Sequence, residues 1–85
     1  MVEKAVTSDS WKKIPRYTDY PYIAAVPIEK ARSDMFPYTE FAQNEAESGN
    51  YAEICESFNG GVYLFAKEPP EKDITVKIHL FRGGI

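Results

Sequence analysis

In the last third of the chain, apolar and polar positions alternate. Val62, Leu64 and Ala66 fall on one side of a run that places Tyr63, Phe65 and Lys67 on the other. Further on, Ile74, Val76, Ile78 and Leu80 separate in the same way from Thr75, Lys77, His79 and Phe81. A period of two is the pattern of a strand, so strands are expected over residues 62–67 and 73–82. Between them, Pro69 and Pro70 remove two backbone donors and cannot extend a ladder. The spacing therefore predicts a C-terminal antiparallel hairpin with one aliphatic and one aromatic face.

The middle of the chain reads as helical. Ile28, Ala31 and Met35 are spaced for two turns over residues 27–35, with Pro27 at a favourable first position. Tyr38, Phe41, Ala42 and Ala46 recur at three and four, which predicts an amphipathic helix over residues 38–48. Gly49 stands where a helix stop belongs. Asn50 and Glu53 then form a capping-box pattern, and Tyr51, Ile54, Cys55 and Phe58 make a third apolar stripe. Asn59-Gly60-Gly61 turns the chain into the final strands.

Before this region, prolines at 15 and 21 argue against a helix and push Ile14 and Tyr20 to extended conformations. An aromatic segment over residues 11–22 is expected to run into a strand at 22–26. Residues 1–10 lack periodicity and read as a loose N-terminal arm, leaving 11–85 as one domain. The expected fold is α+β in two layers. Two or three short helices pack on a mainly antiparallel three-stranded sheet, in the order β-α-α-α-β-β.

Composition narrows the possible chemistry. The chain has 85 residues, 44% of them hydrophobic and 14% aromatic, which is a globular composition. Cys55 is the only cysteine, so no intramolecular disulfide exists and a reducing compartment is suited. Residues 1–13 do not read as a secretory signal, and no apolar run approaches the roughly 20 residues that span a bilayer. The expectation is a cytoplasmic protein without a membrane partner.

Net charge is −3, and its distribution is uneven. Glu29, Asp34, Glu40, Glu45, Glu47, Glu53 and Glu56 crowd the middle of the chain against Lys30 and Arg32 alone. That disfavours general phosphate-backbone binding, which needs clustered cations. Glu45 is the exception to the solvated pattern, since the predicted helix puts it among Phe41, Tyr38 and Ala42.

Catalytic chemistry finds little footing. His79 is the only histidine, and Cys55 sits in an apolar stripe without a nucleophile signature. Metal ligands at zinc or calcium spacing are missing, and Gly60-Gly61 lacks the surroundings of a phosphate loop. No cofactor or metal is expected.

What stands out is the surplus of aromatic residues. Trp11, Tyr17, Tyr20, Tyr63, Phe65 and Phe81 are candidate anchors for a partner, with Glu40, Glu47, Glu53 and Glu56 as acidic groups that orient docking. The bland alternative is that residues 11–22 fold back and cover the aromatic face. The function expected is a noncatalytic acidic protein-binding module, a small inhibitor or accessory subunit whose partner carries a basic surface. An alternative is a single-stranded nucleic-acid binder using the hairpin's aromatic face with Lys12, Lys13, Arg16, Lys77 and Arg82. A further alternative is a self-associating structural subunit.

The end of the chain, Leu80-Phe81-Arg82-Gly83-Gly84-Ile85, resembles the Leu-x-Arg-Gly-Gly tail of ubiquitin-like modifiers over six residues. That fold opens with a β-hairpin, which residues 1–20 do not predict, so the resemblance is not adopted.

Overall fold

Alternating apolar residues do form strands here, and more of them than the sequence suggests. The computed structural model describes residues 1–82, without the side chains of Pro15 and Arg16. Within these residues run β1 (Val2–Val6), β2 (Lys12–Tyr17), β3 (Tyr20–Pro27) and β4 (Met35–Phe41). A five-residue helix α1 (Gln43–Glu47) follows, then β5 (Glu56–Phe58), β6 (Gly61–Ala66) and β7 (Ile74–Arg82). The strands build two antiparallel sheets, one ordered β1-β7-β4 and the other β2-β3-β6-β5. The fold is a small β-sandwich, not the expected α+β domain with three helices on a three-stranded sheet.

The aliphatic faces of β6 and β7 are where the sequence placed them. Val62 and Leu64 are 0% and 1% exposed, and Val76 and Ile78 are 1% and 0% exposed. They lie on different sheets, however, and belong to the one core shared between the layers. Each such side chain removed from water contributes about 1.5–3 kcal/mol. The predicted C-terminal hairpin therefore does not exist.

The link between these strands carries β7 to the other sheet, and Asn50 fixes its departure. Asn50 Oδ1 accepts from the Glu68 N–H at 3.0 Å, and its Nδ2 donates to the Glu68 carbonyl at 2.9 Å. The Lys67 N–H donates to the Asn50 carbonyl at 2.8 Å. At the far end of the link, the Ser8 N–H donates to Asp73 Oδ1 at 2.8 Å, tying the start of β7 beside β1.

Where helices were expected, strands and turns mostly occur. Residues 27–35 hold the end of β3, a turned connection and the start of β4. Residues 38–48 hold the rest of β4 and α1, the part of the expected helix that forms. Gly49 does follow the helix with a positive φ of 73°, as its stop position requires. Residues 51–58 contain an isolated bridge from Tyr51 to Ala66 and the strand β5. Asn50 thus clamps a loop instead of capping a helix.

The physical reason lies in β4, where Phe36, Tyr38 and Glu40 share one face and Met35, Pro37, Thr39 and Phe41 the other. With large apolar groups on both faces, period two is blurred and a period near 3.6 fits equally well.

One further reading changes and another holds. Val2–Val6, expected within a loose arm, pairs with β7 from Val2↔Ile78 to Val6↔Ile74. Residues 22–26 do form a strand, and β3 pairs with β6 from Tyr22↔Ala66 to Pro27↔Gly61. Gly61 is required by close approach: a Cβ there would lie 2.5 Å from the Val26 carbonyl oxygen and 2.5 Å from Phe58 Cζ. The Gly83-Gly84-Ile85 part of the modifier-like tail lies outside the described residues.

Candidate interaction surface

On the outer face of the first sheet, β4 and β7 bring large rings together. The register sets Phe36 opposite Phe81, Tyr38 opposite His79 and Glu40 opposite Lys77. Phe36 is 63% exposed, and Tyr38 and Phe81 are each 56% exposed. His79 lies between them: its ring is 5.8 Å from that of Tyr38 and stacks at 6.4 Å on that of Phe81. The strand pleat makes this row, since residues two apart on β7 and their partners on β4 must share a face.

Opposite charges stand in register on this face. Lys77 stands in register between Glu3 of β1 and Glu40 of β4. Opposite charges across a ladder stabilise it by about 0.2–1 kcal/mol. His79 Nε2 lies 3.4 Å from Glu40 Oε1. The face thus offers an apolar row with carboxylates beside it, and its central cation is flanked by acids.

The other anchors expected from sequence lie elsewhere. Trp11 is 6% exposed and tilts against Tyr51 in the core, with ring centroids 5.8 Å apart. Phe65 is 1% exposed. Its ring lies under the edge of Tyr17 at 4.8 Å and 87°, on the outer side of the second sheet. Neither Trp11 nor Phe65 is available as an exposed anchor. Tyr17 donates to Glu56 Oε2 at 2.5 Å, which fixes both groups within the domain. Tyr63 stacks on Phe58 at 4.4 Å, and Tyr20 lies under Lys67 Nζ at 5.8 Å.

The N-terminal segment does fold back, but it covers Phe65 and leaves the β4–β7 row open. The acids are dispersed too. Glu40 borders the row and Glu56 bonds Tyr17 on β5. Glu47 accepts from Gln43 Nε2 at 3.0 Å on α1, and Glu53 is exposed in the link to β5. No pair of acidic helices presents them. Burial, and after it the neighbouring Glu45 carboxylate, push the Tyr51 pKa up to about 12.

Phe36 and Tyr38 are the members of the row that the sequence reading left out of the site. A signal for them exists. Pro37 disfavours the helical region for Phe36 and suits an edge strand, which makes Phe36-Pro37-Tyr38 extended with both rings on one side.

Burial raises the pKa of the Cys55 thiol, which donates to the Pro37 carbonyl at 3.5 Å. It therefore acts as a packed side chain between β4 and β5. Among the described residues, no group of three or more His, Cys, Asp and Glu side chains could hold a metal ion. No helix of the described residues is long and apolar enough to cross a membrane. No family model, curated protein or solved structure matches this chain.

Proposed function

We propose that this chain is a noncatalytic protein-binding module that docks through the outer face of β4 and β7. The observation that carries the reading is the contiguous exposure of Phe36, Tyr38 and Phe81 on neighbouring strands. Exposed aromatic clusters of this kind mark partner surfaces, and aromatic anchors supply much of an interface's energy. Glu3 and Glu40 beside the rings favour a partner whose rim is basic. The flanking of Lys77 by two carboxylates supports a protein over a nucleic-acid strand, whose phosphates need unopposed cations.

The test is affinity capture with the tagged chain and with a Phe36→Ser/Phe81→Ser variant of unchanged melting temperature. A stoichiometric protein recovered by the parent and lost by the variant supports the proposal. Equal recovery by both removes it. Nuclease-sensitive material lost with the rings would replace it by single-strand binding. A parent oligomer that the variant dissolves, with nothing else captured, would replace it by self-association.

A further inference from the structure

At one end of the first sheet, residues of β1 and β7 adjoin the link from β3 to β4. A cleft of about 460 Å³ opens there between the start of β1, the link from β3 to β4, and the end of β7. Its floor is apolar: Ile28 and Ile78 are 4% and 0% exposed, and Met35 and Leu80 lie half-buried beside them. Its rim is charged. Lys4, Lys30 and Arg82 surround the opening, with Glu29 as the one carboxylate. None of the three cations forms an ion pair with a described residue. No ring of the β4–β7 row lines this space.

The link that supplies Ile28, Glu29 and Lys30 is held in place. The Ile28 N–H donates to the Gly60 carbonyl at 2.9 Å, and the Gly60 N–H donates to the Ala31 carbonyl at 3.0 Å. Arg32 Nη1 donates to the carbonyls of Glu29 and Ala31 at 3.0 and 2.8 Å. A ligand entering the cleft meets backbone that is already ordered, so binding requires less ordering there.

An apolar floor under a cationic rim selects its occupant by chemistry. A neutral apolar molecule would leave the cations unused, and a small polar anion would leave the floor wet. We propose that the cleft binds a small anionic amphiphile, a medium-chain carboxylic acid in its ionised form. The alkyl tail lies on Val2, Met35 and Leu80, above the buried Ile28 and Ile78, and the carboxylate meets Lys30 and Arg82, with the arginine fork suited to a carboxylate. The volume falls within the range of about 300–1,000 Å³ typical of small-ligand sites.

Calorimetric titration of the intact chain with octanoate, decanoate and 1-decanol tests this. Affinity rises about fourfold for each methylene that enters the cleft. Decanoate binds about tenfold or more tightly than 1-decanol, because only the anion makes charge-assisted bonds. A Lys30→Gln/Arg82→Gln variant loses that advantage and keeps the weak binding of 1-decanol. Amide shifts on decanoate addition gather at Val2, Met35 and Leu80. Equal affinity for acid and alcohol overturns the proposal, as does undiminished decanoate binding by the variant. Shifts confined to Phe36, Tyr38 and Phe81 overturn it too, by placing the ligand on the aromatic row.

Discussion

Phe36 and Phe81 stand directly opposite each other across the β4–β7 ladder, and both rings are more than half exposed. Cross-strand aromatic pairs stabilise a sheet by about 0.2–1 kcal/mol, a small return for two rings left in water. Phe65, in contrast, is sealed on the second sheet beneath Tyr17. The two kinds of aromatic residue respond differently to truncation.

Phe65→Ala costs about 3–5 kcal/mol, as expected for a buried ring. Phe81→Ala changes stability by about 0.5 kcal/mol or less, as expected at the surface. Urea unfolding of the two variants checks this. Equal losses would make the β4–β7 row a structural feature.

Gly61→Ala destabilises the domain by about 1–3 kcal/mol, the usual cost of forced overpacking. The added methyl meets the Val26 carbonyl and the Phe58 ring, and backbone cannot yield as a flexible side chain would. A fall in melting temperature without loss of β-type circular dichroism is expected. Gly49→Ala places its methyl in open space, so its cost comes from the positive φ alone.

Asn50→Ala removes both side-chain bonds to the Glu68 backbone. At about 0.5–1.5 kcal/mol per bond, the loss is roughly 1–3 kcal/mol. Hydrogen exchange at the Glu68 amide accelerates, and the link between β6 and β7 becomes more sensitive to protease. Unchanged exchange would show that this clamp does not hold the link.

Tyr51 has a folded pKa of about 12 against the ordinary 10.0 of a tyrosine, raised first by burial and then by the neighbouring Glu45 carboxylate. The folded state thus favours the protonated phenol. Its contribution is fully present below pH 10.0 and is lost as pH rises towards about 12. Melting temperatures of the parent and of Tyr51→Phe, compared across that interval, isolate the effect. The parent falls more steeply, and parallel curves would remove the assignment.

The period-two runs in residues 62–67 and 73–82 determined which side chains of β6 and β7 meet the core, and that reading holds. Gly49 and the Asn59-Gly60-Gly61 turn were also legible, because backbone conformation at a glycine is a local property. Pairing is not local. Alternation says that Val62, Leu64 and Ala66 share a face, but not whether Ile74, Val76 and Ile78 lie beside them or across the core from them. Only the tertiary structure decided this, through the Asn50 clamp and the seat of β7 between β1 and β4. The same limit hid the aromatic row. Phe81 was visible as an outward residue, but Phe36 and Tyr38 became its neighbours only when β4 paired with β7. Local sequence sets the face of each strand, and long-range burial chooses the strand beside it.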